Sequence, residues 1–138
     1  MPERFTWTPD LKIGIQELDV QHKLLFDNTK ELFAAWDRGA PREELSLLID
    51  RVSDDLRIHF STEERYIQSV LGEYDDFVLH LEAHTKFLTR SVDFLLKFHQ
   101  GQEDLSKEML EEILHWWLHH IENEDKELGI CLRAQGYR

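Results

Sequence analysis

"LRIHFSTEERYI", residues 56–67, reads as a helix with a fault in it. Leu56, His59, Glu63 and Ile67 recur in steps of three and four, the period that gathers side chains on one helical face. Leu45, Leu48 and Val52 lie on the same stripe upstream, and Val70 lies on it downstream. So apolar a stripe packs inward, yet this one carries an imidazole and a carboxylate. Burying an unpaired carboxylate costs several kcal/mol. A helix that turns Glu63 inward therefore needs a cation to meet it.

Three further helices carry the same anomaly. Their inward stripes are Leu18, His22, Leu25, Thr29, Leu32 and Trp36 on the first, and Phe77, His80, His84, Phe87, Ser91, Leu95 and Phe98 on the third. The fourth has Met109, Ile113, Trp116 and His120. One histidine on such a face is ordinarily a core residue satisfied by a hydrogen bond. Five of them with a carboxylate, contributed by four helices, exceed that explanation. A metal ion supplies the missing cation, and imidazole nitrogens are neutral ligands for it. The spacing suits this: His59 and Glu63 are four apart in "HFSTE", as are His80 and His84 in "HLEAH". Four residues advance about 40° beyond a full turn, so each pair leaves one face and reaches one metal or two neighbouring ones.

Punctuation sets the boundaries. Residues 1–18, with Pro2, Pro9 and Gly14 among Phe5, Trp7, Leu11 and Ile13, read as an extended arm packed on the rest. Asp19 is a candidate N-cap, and four helices are expected at about 19–37, 41–71, 76–99 and 104–128, the last stopped by Gly129. Short connections make neighbours antiparallel, so the expected fold is all-α: an up-down-up-down four-helix bundle spanning 1–138 as one domain.

The formal charge of −12 opposes nucleic acid and anionic membrane as partners. "MPERFTWTPD" holds no apolar signal core, and no run approaches the length of a membrane span. A single cysteine, Cys131, forms no internal disulfide and lies off the histidine stripes, so it reads as a packed thiol. No glycine-rich phosphate loop is present. The expectation is a cytoplasmic protein.

In order, "DVQHKLLF", "HFSTEE", "HLEAH" and "HHIENEDK" resemble the hemerythrins, most closely the single-domain bacterial ones. The resemblance covers nearly the whole chain. It implies a bundle holding two non-haem irons joined by an oxo or hydroxo bridge, with dioxygen as ligand. His80, His84 and His120 would hold one iron and His22 and His59 the other, with Glu63 and Asp125 bridging both. The iron with two histidines would keep a position open for dioxygen. The implied function is reversible oxygen binding for storage, transport or delivery, without catalysis. The alternatives are a di-iron enzyme (peroxide or nitric oxide reduction, ferrous iron oxidation) or an oxygen- or iron-sensing module. A monomer is expected, with room for an unidentified protein that accepts its oxygen. Five neutral imidazoles against two carboxylates disfavour high-valent iron, which suits reversible binding over onward oxidation.

Two points stay open on the sequence. Glu124 lies four residues after His120 and shares its α-helical face, whereas Asp125 lies about 140° round; spacing favours Glu124 as the second acid and the family pattern favours Asp125. Relatives carry Trp-Leu ahead of the last ligand, where this chain has Trp116-Trp117. Both rings are candidate oxygen-pocket lining, and Trp117 either narrows the pocket or turns onto a neighbouring helix. His115 and His119 share the polar face with Glu108, Glu111, Glu112 and Glu122 and are expected at the surface.

Overall fold

The computed structural model describes residues 7–101 and 106–138, with Val92 and Leu95 described by backbone alone. The expectations placed on Pro2, Phe5, the Leu95 side chain and a helix start at Asp104 lie outside the described residues. Within them the chain is helical, without a strand: α1 (Gln16–Asp37), α2 (Arg42–Ser69), α3 (Phe77–His99) and α4 (Lys107–His120). A π-helical turn, Ile121–Asp125, then carries α4 without a break into α5 (Lys126–Ala134). The four long helices form a four-helix bundle. No helix among the described residues is long and apolar enough to cross a membrane.

Three helix boundaries carry specific contacts, and the first and third differ from the sequence expectation. First, α1 begins at Gln16, before Asp19. The Asp19 carboxylate instead accepts hydrogen bonds from the backbone N–H groups of Ile13, at 2.8 Å, and Gly14, at 3.1 Å. It closes the arm onto the helix from inside the first turn. The arm itself contains a short 3₁₀ turn, Pro9–Leu11, and buries Ile13 and Ile15. Second, the side-chain oxygen of Ser106 accepts from the Met109 N–H at 3.2 Å and caps α4. Third, Gly129 does not stop the last helix. It lies inside α5 because the arm crosses there: a Cβ at 129 would stand 2.5 Å from the Ile13 carbonyl oxygen and 2.9 Å from Ile13 Cβ. Glycine at 129 marks a close approach of two backbones.

The phase of α4 also differs. Leu110, Leu114, Trp117 and His120 form its buried line, while Met109, Ile113 and Trp116 are half-buried beside it. On α1, α2 and α3 the anticipated stripes are largely interior, with Trp36, Val52, Phe77 and Ser91 half-buried.

Two apolar clusters fill the bundle with the polar side chains between them. The larger gathers Leu25, Phe26, Leu56, Phe60, Phe87, Leu114 and Trp117. The smaller gathers Ile13, Ile15, Leu18, Ile67, Tyr74 and Leu128. Along α1, Leu18 belongs to one cluster and Leu25 to the other, with His22 between them; along α2, Glu63 falls between Phe60 and Ile67. Asp125 likewise separates Ile121 from Leu128. Apolar packing on both sides therefore fixes the height at which the polar layer sits.

Candidate metal centre

The structure brings all seven sequence candidates into that layer. His22, His59, Glu63, His80 and Asp125 are fully buried, and His84 and His120 are 1% exposed. Two overlapping groups present ligand atoms within 4.8 Å of one another: Glu63, His80, His84, His120 and Asp125, and His22, His59, Glu63 and Asp125. The carboxylates belong to both groups.

Each carboxylate is split between the two sides. Glu63 Oε2 lies 2.8 Å from His80 Nε2, 3.3 Å from His84 Nε2 and 3.9 Å from His120 Nε2. Its other oxygen, Oε1, lies beside His59 Nε2 and 3.6 Å from His22 Nε2. Asp125 Oδ1 is 3.2 Å from His80 Nε2 and 3.1 Å from His120 Nε2, while Oδ2 is 3.0 Å from His22 Nε2. One oxygen of each acid thus faces three imidazoles or two of them, and the other oxygen faces the opposite side.

The choice between Glu124 and Asp125 turns on the π turn. Spacing favours Glu124 only for continuous α winding. The i→i+5 bonding of Ile121–Asp125 widens that turn by one residue. Five residues, not four, then return a side chain to the face of His120. Asp125 points into the layer, and Glu124 is left at its edge, 30% exposed.

Whether the site suits a cation is answered by its unmet atoms. His22 Nε2, His59 Nε2, Glu63 Oε1 and both Asp125 carboxylate oxygens are buried without a hydrogen-bond partner of good geometry. His84 Nε2 and His120 Nε2 lie 3.0 Å apart, two nitrogens aimed at one point. Buried polar groups are normally satisfied, so this concentration of inward-facing donors fits positive charge placed among them. Without metal, protons fill that role. Burial opposes charging His22, but the carboxylates of Asp125 and Glu63 beside it outweigh that and raise its pKa to about 9. His80 is raised to about 9 against the same opposition and by the same two acids. Burial keeps His59 below its usual value. Burial also works against ionised Glu63, yet the surrounding imidazoles hold it well below the usual carboxylate range.

Imidazole orientation is fixed from outside, through residues that periodicity did not single out. His59 Nδ1 donates to Gln21 Oε1 at 2.7 Å, and the Gln21 amide donates to Thr62 Oγ1 at 3.1 Å. His80 Nδ1 meets the Tyr74 hydroxyl at 2.8 Å, and that hydroxyl donates to the Glu124 carbonyl at 3.3 Å. His84 Nδ1 donates to Glu64 Oε1 at 3.3 Å. His120 Nδ1 faces Glu124 Oε2 at 3.8 Å. Gln21, Glu64 and Tyr74 each come from a different element than the histidine they hold, so no spacing rule reveals them.

Aromatic rings wall the layer. Phe60 stacks on His84 at 4.0 Å between centroids, and Trp116 stacks on both His120, at 4.8 Å, and Phe87, at 4.1 Å. Trp117 is buried against Phe26, 4.7 Å away, with its ring 6.3 Å from that of His22. It also lines an apolar cavity of about 70 Å³ with Leu25, Leu56 and Phe87. His115 and His119 are exposed, away from the layer.

Comparison with known proteins agrees with this geometry. The family model "Hemerythrin HHE cation binding domain" matches residues 13–129. A bacteriohemerythrin of Stenotrophomonas maltophilia is 30% identical over 128 residues, covering 93% of this chain and 81% of that one. A myohemerythrin of Theromyzon tessulatum is 27% identical over 125 residues, 91% of each chain. The crystal structure of a wild-type hemerythrin superposes with a TM-score of 0.85 at 30% identity, covering 92% of this chain and 96% of that one. With a family model that matches from the arm to α5 and a relative 30% identical over nearly the whole chain, this chain belongs to the hemerythrin family.

Proposed function

We propose that this protein binds dioxygen reversibly at a non-haem di-iron centre and so stores, carries or delivers it. The observation that carries the reading is the split of Glu63 and Asp125, one oxygen of each toward either side of a fully buried layer. Two acids so arranged suit two adjacent cations. His80, His84 and His120 would hold one iron, His22 and His59 the other, with both acids bridging. When bound, the iron pair supplies the two electrons and the coordination position that reversible dioxygen binding requires.

The chain supplies the surroundings. Five uncharged imidazoles and two carboxylates give a modest anionic donor set. His22 and His59 provide one donor fewer than the opposite three, which leaves room for a further ligand on their side. Phe26, Phe60, Trp116 and Trp117 keep water from the layer and stiffen the imidazoles they contact. Trp117 both neighbours His22 and lines the apolar cavity, which makes it the residue that joins the two.

The test is a visible spectrum with an iron count through one cycle: reduce without oxygen, admit air, then remove oxygen. A charge-transfer band that appears with air and vanishes on its removal supports reversible binding. Permanent oxidation on first contact with air contradicts it.

A further inference from the structure

Each histidine that turns Nε2 toward the layer leaves Nδ1 to be satisfied behind it. What stands there differs between the two sides. Behind His84 is the carboxylate of Glu64, at 3.3 Å, and behind His120 is that of Glu124, at 3.8 Å. His120 Nδ1 and Glu124 Oε2 are both buried without a hydrogen bond and face each other as an ion pair at 3.8 Å. Glu124 serves the same side again through its carbonyl, which anchors the Tyr74 hydroxyl behind His80. On the opposite side, His59 has only the neutral amide of Gln21, and His22 Nδ1 is buried without a hydrogen-bond partner.

An imidazole N–H that donates to a carboxylate makes the opposite nitrogen a stronger donor and locks the ring, whereas a neutral amide locks it without that charge. On one side, therefore, His84 donates to a carboxylate and His120 faces a second one, with His80 held by a hydroxyl, whereas neither His59 nor His22 has a carboxylate behind it. We propose that the centre holds its two metals unequally: the metal on His80, His84 and His120 binds first and leaves last, the metal on His22 and His59 is exchangeable, and Glu64 and Glu124 are the positioning residues that set this order. The inference rests on the two-metal reading above and adds to it a ranked pair of sites. Glu64 is exposed and Glu124 half-buried, so solvent screens part of their charge. Their effect belongs at the lower end of the 10- to 100-fold range usual for residues behind a metal ligand, about tenfold.

The test is loss of metal from the whole chain loaded with two ferrous irons, under anaerobic conditions, into excess of a colour-forming ferrous chelator. Two phases of equal amplitude are expected, their rates separated by about tenfold or more. Glu64→Gln and Glu124→Gln should each speed the slow phase by roughly three- to tenfold and leave the fast phase unchanged. Gln21→Ala should speed only the fast phase. His59→Ala should retain one iron, lost at the slow rate. Release of both irons in a single phase, or glutamate variants that move the fast phase or neither phase, overturns the ranking while leaving two irons per chain intact. Loading that never exceeds one iron per chain instead removes the two-metal reading, and the ranking with it.

Discussion

Replacing Glu63 by glutamine keeps the side-chain shape and removes the charge on which both sides of the layer converge. Its two oxygens lie within 3.9 Å of four imidazole nitrogens and beside a fifth, and no solvent reaches it. Removing one partner from a buried charged group costs about 3–5 kcal/mol. At about 1.4 kcal/mol per factor of ten, that is two to three and a half powers of ten in metal affinity. Because Oε1 and Oε2 face different sides, the loss should fall on both metals, unlike the loss from any single histidine. The assay is metal content by mass spectrometry after graded chelator competition, with far-UV circular dichroism confirming the helices. His115→Ala and His119→Ala, on the exposed face, are the controls and should retain two metals. A Glu63→Gln protein that holds two metals with unchanged affinity would refute the reasoning.

Further outcomes follow from the same geometry. Asp125→Asn should strip metal as Glu63→Gln does, whereas Glu124→Gln should still load two metals; metal counts in the reverse order would mean that the π turn does not set the acid. Gly129→Ala forces a Cβ to within 2.5 Å of a backbone carbonyl, a clash that costs about 1–3 kcal/mol even after the modest helix-propensity gain. At about 2.1 cal/mol/K of unfolding entropy per residue, the melting temperature should fall by roughly 3–10 °C, and an unchanged value would mean that the arm yields freely. Trp117→Leu should enlarge the cavity beside His22 and speed oxygen association in flash photolysis or stopped flow, and an unchanged rate would exclude Trp117 from the route. The pH dependence of the metal-free protein has a definite sign. His22 and His80 are raised to about 9 in the fold, above about 6.5 in the unfolded chain, so their stabilisation is complete below 6.5 and is lost as pH rises through 9. His59, held below its usual value, adds no slope in that window. Thermal unfolding should therefore occur at lower temperature at pH 10 than at pH 6.5, and a rise would contradict the protonated-imidazole picture.

Much of this architecture was legible because burial contradicts polarity. Glu63 on an apolar stripe demands a cation wherever the helix lies, and His59, His80 and His84 follow from the four-residue step. The residues that sequence left hidden depend on contacts between distant segments. Gly129 reads as a stop until Ile13 is seen against it, since a glycine for close approach and a glycine for termination look alike in one dimension. Asp19 reads as a cap because its real partners, the N–H groups of Ile13 and Gly14, belong to a segment without periodicity. On α4 the expected line Met109, Ile113 and Trp116 runs one residue beside the buried Leu110, Leu114 and Trp117, an equally apolar line, and the two meet at His120. The π turn has no propensity signal; it is felt only as the conflict between Glu124 and Asp125, of which the winding turns Asp125 into the layer.

The central claim is that five histidines and two acids hold a pair of metals, and anomalous diffraction at the iron edge from iron-loaded crystals tests it most directly. Two adjacent peaks are expected in each chain. One should be bonded to His80, His84 and His120, the other to His22 and His59, with an oxygen of Glu63 and of Asp125 on each. A single peak, or peaks ligated by Glu124 or by the exposed histidines, would contradict it.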